Sequence, residues 1–511
     1  MAMKRFLNWK WWAVGLPITI CLMALITYLY MDRELVRMYG GLTDIAEFNI
    51  PEDEFGITAI KNVNVLAPTG DRFVESQTVL IREGIIELIA EDTNLPNDIT
   101  LIDGTGMFLV PGYTESHVHL WESENDLLLY LANGVTQIRE MNGIKKHLRW
   151  KKEIEAGRLG PDMFVVAPQL ATFGFIEGLF VSWTQNKTIV QSDQDVERAV
   201  ESLKAMGYDA IKASSFLDPD GYTAISTATR ANSIPLIGHI PNAVGFQELW
   251  ESNQVEIAHI EELVKTADID FGGYTPETAN AYLEFMRSKS DGIAERLYEK
   301  GIAVTSTLTL SDSFWRQKED LEKALNQVEL RYVNPGVTEG TVITSRALAW
   351  LGDRHMYRWP ADYPEGQKKR SLIYWQTYAQ AHHIILDALI RRKVTIMAGT
   401  DANVPVMVPG FSLHDEMLAL NQAGMSAAEV LASSTRIPGE WMGMNTGEIS
   451  TGFKANLVLL RENPLNDIGA TDTIETVIVN GRILTRKDLD ELLRAVKQAN
   501  DNSRSVRLTA A

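Results

Sequence analysis

The sequence has little cysteine and fewer basic than acidic residues, and each shortage excludes a class of function. Its one cysteine, Cys21, lies in an apolar N-terminal stretch. A disulfide, a thiolate nucleophile and a cysteine-ligated zinc ion are therefore excluded from the rest of the chain. The 48 Lys and Arg residues against 67 Asp and Glu give a formal net charge of -19. Since an acidic surface repels phosphate backbones, we expect no nucleic-acid partner.

The N-terminus contains an uncharged run from Trp11 to Met31, and these 21 residues match the roughly 20 that a helix needs to cross a bilayer. The run is longer than the apolar core of a cleaved signal peptide, which is the alternative, and ends without a small-residue cleavage site. We predict a single-pass membrane anchor with the N-terminus in the cytoplasm and the rest of the chain outside it, in the periplasm of a bacterium. Basic and aromatic residues mark its ends: Lys4, Arg5, Lys10, Trp9, Trp11, Trp12, Tyr28 and Tyr30.

The remaining residues divide by their hydropathy pattern. Short β-rich runs separated by Gly and Pro turns occur near both ends of the chain, and we expect them to join in one small β-domain. The central region alternates short apolar strands with helices, which predicts a parallel sheet with room for eight units. The predicted parts are a cytoplasmic stub and anchor (1–31), a linker (32–54), a composite β-domain (55–106 and 445–485), the central domain (107–444) and a C-terminal helix and tail (486–511).

Four of the nine histidines lie where predicted strands end. His117 and His119 are two residues apart, so on a strand both imidazoles face the same side and can reach one ion. His239 and His259 each follow a short apolar strand, at the end where barrel enzymes gather their active-site groups. Each histidine taken alone could equally be a core residue bonded to a neighbour. Together the four predict a metal site.

A lysine and an aspartate end two further predicted strands. Lys212 would be costly in the mouth of a barrel without a charge partner or a chemical change, and the alternative is a lysine that extends to solvent from a strand edge. Asp401 ends the segment 394–401. A carboxylate there could take a proton from a metal-bound water, whereas the alternative is a helix N-cap.

The order His-x-His, Lys, His, His, Asp resembles that of the amidohydrolase superfamily, in its imidazolonepropionase-like and prolidase-like branch. The resemblance covers most of residues 57–485 and implies a (β/α)8 TIM-like barrel, with a small β-sandwich domain built from both chain ends. Segments around the six residues are similar to the family as well: 110–119, 134–141, 398–401, 408–417 and 447–465.

This resemblance also implies a role for each residue. His117, His119 and Asp401 would bind the more buried of two divalent metal ions, and His239 and His259 the more exposed one. Lys212, carboxylated on its amine, would bridge the two ions. A metal-activated hydroxide would attack the substrate carbonyl, and Asp401 would pass its proton to the leaving nitrogen. Nitrogen and oxygen ligands of this mix suit zinc best, with manganese, cobalt or iron as alternatives.

Some residues depart from the family pattern or have two interpretations. Ser116 stands where relatives often have an aspartate, which puts a supporting carboxylate there in doubt. Arg139 could bind a substrate carboxylate or form a salt bridge within the barrel. We expect His147 and His355 to be exposed. Residues 311–380 are longer than one unit needs and predict an insertion over the barrel mouth.

Three functions remain open from the sequence. The first is a metal-dependent hydrolase that cleaves a carbon–nitrogen bond in a small amide, a dipeptide or an N-acyl amino acid. The second keeps the fold but cleaves an ester or lactone, or acts as a mononuclear deaminase, a class that usually lacks the lysine found here at Lys212. The third is a non-catalytic, membrane-tethered interaction protein. Homo-oligomer formation is left open, since barrels of this kind often pair.

Overall fold

The computed structural model describes residues 3–50, 56–91, 93–96, 98–342 and 344–505, with side chains from residue 16 onward apart from the gaps. Several predicted features lie outside the described residues. They are part of the linker (51–55), part of the tail (506–511), the start of the cytoplasmic stub and the side chains of the tryptophans predicted at the membrane interface. The strands are, in chain order, β1 (Ile57–Leu66), β2 (Phe73–Arg82), β3 (Ile85–Ala90), β4 (Thr100–Asp103), β5 (Phe108–Pro111), β6 (Tyr113–Val118), β7 (Val135–Glu140), β8 (Asp162–Val165), β9 (Leu170–Ala171), β10 (Thr188–Ile189), β11 (Ile211–Ala213), β12 (Leu236–Gly238), β13 (Gln254–Ile257), β14 (Ala303–Thr305), β15 (Ile396–Met397), β16 (Leu457–Leu460), β17 (Ile474–Val479) and β18 (Arg482–Thr485).

Helices separate most of the central strands, and two short 3-10 helices occur at Leu330–Tyr332 and Ile468–Asp472. The α-helices are α1 (Met3–Met38), α2 (Asp126–Ala132), α3 (Lys145–Glu155), α4 (Phe175–Gln185), α5 (Asp193–Met206), α6 (Pro219–Ala231), α7 (Phe246–Glu251), α8 (Ile260–Phe271), α9 (Ala279–Lys300), α10 (Leu308–Glu319), α11 (Leu321–Leu325), α12 (Pro335–Thr338), α13 (Glu365–Arg391), α14 (Phe411–Gln422), α15 (Ala427–Ser433), α16 (Arg436–Met442) and α17 (Arg486–Ser503).

The central α/β domain has a TIM-barrel-like fold, and within the described residues it contains the eight parallel strands β6 to β8 and β11 to β15, with the two-residue strands β9 and β10 paired beside β11. Strands β6, β7 and β8 pair in order, and so do β11 to β15. Two bridges connect these sets, between Val166 and Ala210 and between Val118 and Ala402. The strands are short and buried because helices cover them on the outside. Their carboxyl ends consequently meet at one end of the domain.

Helix boundaries here follow ordinary capping chemistry, as α5 illustrates. The Ser192 hydroxyl accepts a hydrogen bond from the backbone N–H of Asp195 and begins the helix. Gly207, at a φ of 98°, ends it in the left-handed conformation that glycine adopts without strain. The chain then turns directly into β11, which places Lys212.

Strands from both chain ends form one continuous mixed sheet with its own apolar core. Its order is β18-β17-β16-β5-β1-β2-β3, and β4 pairs with the first half of β1. Strand β5 pairs with β1 and β16 in this sheet, so the sheet extends to Pro111, past the boundary at residue 106 expected from the sequence.

The N-terminal helix α1 continues beyond its apolar part and packs on the central domain. Side chains from Leu16 to Tyr30 are exposed, whereas Glu34 is buried. Residues 32–38, predicted to begin a linker, are helical because no Gly or Pro interrupts them before Gly40, which has a φ of 87°. The backbone N–H of Ala46 then donates to the Asn125 side chain.

The segment between β14 and β15 contains residues 311–380, which the sequence predicts to form an insertion. It contains α10 to α13, and its apolar side chains, among them Trp350 and Val337, pack against Val406 to Val408. Those residues follow Asp401 closely in the chain. The insertion therefore covers the end of the domain where the predicted ligands lie.

Candidate metal centre

His117 and Asp401 are held together by the backbone of adjacent strands. The N–H of Asp401 donates to the carbonyl of His117 at 2.9 Å, and Asp401 has a positive φ of 61°. His119 follows β6, and its Nε2 lies 3.1 Å from Oδ1 of Asp401; the corresponding distance from Nε2 of His117 is 3.5 Å. The backbone thus brings three of the predicted ligands to one point.

His239 and His259 reach the same point from β12 and β13. The ring of His259 lies 4.4 Å from that of His117 and 5.4 Å from that of His239, measured between centroids. One potential ligand atom each from His117, His259 and Asp401 lie within 4.8 Å of one another. Lys212 completes the cluster, with its Nζ 3.5 Å from Nε2 of His117.

The four imidazoles share one arrangement: each has a neighbour at Nδ1, which leaves Nε2 available as a ligand. These Nδ1 neighbours are the carbonyl of Ala258 for His117, Glu140 for His119, Glu262 for His239 and the Thr307 hydroxyl for His259. Metal-binding histidines characteristically have such a partner on the other ring nitrogen, because it fixes the tautomer and the ring orientation.

The donor set fits a divalent metal ion. Oδ1 of Asp401 is buried without a well-formed hydrogen bond among the described residues. Burial, reinforced by Lys212, lowers the pKa of His117 well below its usual value, and burial lowers that of His259 to about 3. Both imidazoles are therefore neutral at pH 7, the state that ligation requires. Burial alone would raise the pKa of Asp401, but contacts with His119 lower it, so the carboxylate is ionised.

Lys212 is fully buried in this cluster. Burial lowers its pKa to about 8, against an opposing attraction from Asp401. A buried lysine with a lowered pKa has a larger fraction of uncharged, nucleophilic amine at neutral pH. Lys212 is therefore more often uncharged at neutral pH than an exposed lysine.

Four buried glutamates support the cluster, and sequence reasoning assigned none of them a role. Glu140 lies 3.8 Å from Nδ1 of His119 and accepts the N–H of Leu120 at 2.6 Å. Glu262 contacts His239 and accepts the N–H of Ile240. The other two hold backbone: Glu115 accepts the N–H of Thr400, and Glu416 accepts those of Leu308 and Thr309.

The sequence positions of these four glutamates could have indicated that they have a role. Glu115, Glu140 and Glu416 lie within the segments that resemble the family, and Glu262 follows His259 by one helical turn. Charged residues in otherwise apolar strand ends are costly unless they are bonded, which marks them for a structural or functional role. Ser116 cannot supply the supporting carboxylate that relatives often have at this position. Its hydroxyl is buried without a partner in the described part of the chain.

Three other expectations are settled by burial. His147 and His355, predicted to be exposed, are 0% and 2% exposed. The Nε2 of His147 contacts the carbonyl of Trp121 at 2.6 Å, so that histidine braces a loop beside the site. Arg139 lies 3.6 Å from Glu256 and is fully buried, which supports the salt-bridge interpretation over substrate binding.

A cavity of about 740 Å³ reaches the cluster at His119. Its wall combines loops of the central domain with two helices, since Leu35 of α1 and Trp183 of α4 both line it. Lys187 and Trp121 face it as well. A substrate in this cavity would lie against the side of the cluster formed by His119.

Part of the chain matches a known protein family. Residues 349–484 match the amidohydrolase family. The chain has an amidohydrolase fold. This match confirms the resemblance to the amidohydrolase superfamily and supports an enzyme acting on carbon–nitrogen bonds. No curated protein sequence matches the chain.

Solved structures similar to this amidohydrolase fold share little sequence with it. Bottromycin amidohydrolase has a TM-score of 0.65 and 20% identity, over 91% of this chain and 93% of that one. A Xaa-Pro dipeptidase with bound methionine has a TM-score of 0.58 and 16% identity, over 84% and 100%. Ochratoxinase from A. niger has a TM-score of 0.58 and 17% identity, over 85% and 96%. At these identities the likeness concerns the fold.

Proposed function

We propose that the protein is a membrane-anchored, metal-dependent hydrolase that cleaves an amide bond in a small, peptide-like or N-acyl amino acid substrate. The convergence of His117, His119, Lys212, His239, His259 and Asp401 at one end of the domain carries this proposal. The names of the similar structures, a dipeptidase among them, favour an amide substrate.

The six residues would hold two divalent ions, with zinc favoured by the donor set. His117, His119 and Asp401 would bind the inner ion, and His239 and His259 the outer one. Such ions supply an activated water nucleophile and a polarised carbonyl when bound. Lys212, carboxylated on Nζ, would become an anionic bridging ligand. This change would remove the cost of a buried ammonium group.

Asp401 would hold the proton in the reaction. Its Oδ1 lies 3.1 Å from Nε2 of His119 and has no well-formed hydrogen bond among the described residues, so it could accept a proton from a water molecule beside it. It would then donate that proton to the leaving nitrogen. Glu140 and Glu262 would keep His119 and His239 oriented through both halves of this transfer.

One cation in the cavity favours an anionic group on the substrate. Lys187 is half-buried, donates to the hydroxyl of Ser214 at 3.1 Å, and has no carboxylate partner within the described residues. Its Nζ lies 4.9 Å from the ring centroid of Phe216. The carboxylate of a dipeptide or an N-acyl amino acid would supply the missing charge partner.

We also propose that α1 anchors the protein, with the central domain outside the cytoplasm. The span Leu16–Met38 has a mean hydropathy of 1.3 and is unburied within its apolar window. Exposed apolar side chains along a whole helix need a membrane or another apolar partner to cover them.

Metal content and hydrolysis test the proposal together. The full chain, purified in detergent after expression with zinc, should hold about two metal ions by elemental analysis and should hydrolyse N-acyl amino acids or dipeptides. Lys212→Ala should hold one ion or fewer and lose activity. Lys300→Ala, which changes an exposed lysine at the end of α9, is the matched control. A chain that binds no metal, or that cleaves none of these substrates when fully loaded, would refute the proposal.

A further inference from the structure

Helix α4 exposes apolar side chains that a soluble protein would bury. Phe175, Ile176, Leu179 and Phe180 are 74%, 82%, 60% and 59% exposed. At about 100° per residue these four side chains fall within an arc of roughly 140° on one face of the helix. A continuous exposed apolar surface of this kind marks a site that binds another molecule or a membrane.

The opposite face of α4 packs on the protein, so its exposed face is fixed in direction. Val181 and Gly178 are buried there. A Cβ added to Gly178 would meet the Ile189 side chain at 3.1 Å, which shows how closely that face approaches β10. The helix is therefore part of the folded domain, and its apolar face is presented outward by that packing.

Helix α4 meets α1 where the apolar part of α1 ends. The rings of Trp183 and Tyr28 lie 5.2 Å apart, and Nε1 of Trp183 donates to Oδ1 of Asp32 at 3.0 Å. Tyrosine and tryptophan favour the boundary between membrane and water, because one part of each ring system is apolar and the other is polar. If α1 spans a bilayer, this contact places α4 at its surface.

The cavity that reaches the metal centre opens between these same two helices. Leu35 and Val36 of α1, with Tyr39 just after it, line it on one side, and Trp183 and Thr184 of α4 line it on the other. The Tyr39 hydroxyl donates to the carbonyl of Thr184 at 2.5 Å and fastens the two walls together. The route from α4 to His119 is thus bounded by the helices that would touch the membrane.

We propose that the apolar face of α4 inserts into the bilayer surface beside α1, and that the enzyme takes long-chain amphiphilic amides through the cavity between these helices. The substrate class rests on the proposed hydrolysis, and the membrane contact of α4 rests on the proposed anchor role of α1. The acyl chain would lie towards α4 and the lipid, and the amide would reach the metal centre at His119. The lipid bilayer is the expected occupant because the exposed face of α4 adjoins the proposed membrane span.

Lipid contact can be measured without any activity. In the full chain with Cys21→Ser, a single cysteine at Leu179→Cys is labelled with an environment-sensitive fluorophore and reconstituted into phosphatidylcholine vesicles. Part of the lipid carries a nitroxide on its acyl chain. We expect strong quenching of the label together with a blue-shifted emission. Tyr298→Cys on α9 is the matched control, because Tyr298 is also 60% exposed and apolar in part but lies on a different helix.

Equal, weak quenching at both positions would overturn the membrane contact. A blue shift at Leu179→Cys that appears only at high protein concentration, without nitroxide quenching, would also overturn the membrane contact. That result would assign the apolar face to a second copy of the chain. Quenching at Leu179→Cys well above that at Tyr298→Cys supports the proposal.

The substrate class is tested with two N-acyl amino acids that differ only in acyl length, two carbons against sixteen. In vesicles, the variant Ile176→Ser/Phe180→Ser should raise KM for the long-chain substrate about tenfold, the equivalent of about 1.4 kcal/mol, and leave the short-chain KM unchanged. Equal KM changes, or none, would overturn the assigned class. Failure of the unaltered enzyme to cleave either substrate would instead refute the proposed function, and the quenching result would still decide the position of α4.

Discussion

The floor and the rim of the cavity are built in opposite ways. The floor is the predicted ligand cluster, which the cavity reaches at His119 and whose residues are polar, largely buried and accompanied by buried glutamates. The rim consists of residues 32–38 of α1, Tyr39 and α4, and the outward side chains of α4 are apolar and exposed. Buried polar groups need bonded partners, and exposed apolar groups need an apolar environment. The comparison suggests that the floor determines the chemistry and the rim determines what arrives there.

The strongest test of the floor is Asp401→Asn. The amide keeps the size of the side chain but cannot accept the proton, so we expect hydrolysis to fall by roughly a thousandfold or more. The thermal unfolding midpoint of the metal-free variant should stay close to that of the unaltered protein. Retention of more than a tenth of the activity would show that Asp401 is not the group that holds the proton.

Next in size is the effect of the supporting glutamates. Glu262→Gln should weaken metal binding by about 10- to 100-fold, because the anionic partner of His239 is lost. Competition with a fluorescent chelator gives the affinity directly. The exposed Glu284→Gln provides the control, and an unchanged affinity in Glu262→Gln would remove Glu262 from the support of the site.

A smaller effect is expected where floor and rim meet, at Lys187. Removing the cation with Lys187→Met should raise KM about tenfold for an amide that carries a carboxylate, but not for its neutral methyl ester analogue. Lys146→Met, which changes a cavity lysine already bonded to Glu122, is the comparison. If both substrates respond alike, Lys187 shapes the cavity and does not recognise charge.

Lys187 also predicts a pH dependence with a defined sign. Burial lowers the pKa of its ammonium group to about 8, so the positive charge is present below pH 8 and is lost as the pH rises through that value. KM for the carboxylate substrate should therefore increase above about pH 8, and this increase should be absent in Lys187→Met. A pH profile shared by both proteins would assign the change to another group.

The smallest effect should be that of the rim on stability. Phe180→Ser changes a side chain that is 59% exposed, so the free energy of unfolding should change by no more than about 0.5 kcal/mol. Denaturant unfolding of the detergent-solubilised protein measures it. A loss of several kcal/mol would mean that the face of α4 is covered by protein in the folded state.

The sequence predicted the floor better than the rim, for a physical reason. His239, His259 and Lys212 each end a short apolar strand, and parallel strands bring their carboxyl ends together whatever the loops do. Their order along the chain therefore allowed a spatial prediction. Glu262 could not be placed in the same way, because its role depends on how the first turn of α8 packs beside His239.

The rim depends on contacts between distant residues with no periodic signal. Residues 32–38 were expected to form a linker, although they continue α1, and the pairing of Trp183 with Tyr28 joins residues 155 positions apart. Burial of His147 and His355 was missed because charged neighbours in the chain are no guide to neighbours in space. The six ligand roles remain predictions, now with a geometry that suits them.

The continuity of α1 has a mechanical consequence. One unbroken helix runs from the apolar span to Met38, so its two ends cannot tilt independently. A transmembrane helix adjusts its tilt when the hydrocarbon thickness of the bilayer changes. If α1 spans the bilayer as proposed, such an adjustment would move Leu35 and Val36 relative to the central domain and change the width of the cavity. Lipid composition would then control how easily a substrate enters the cavity.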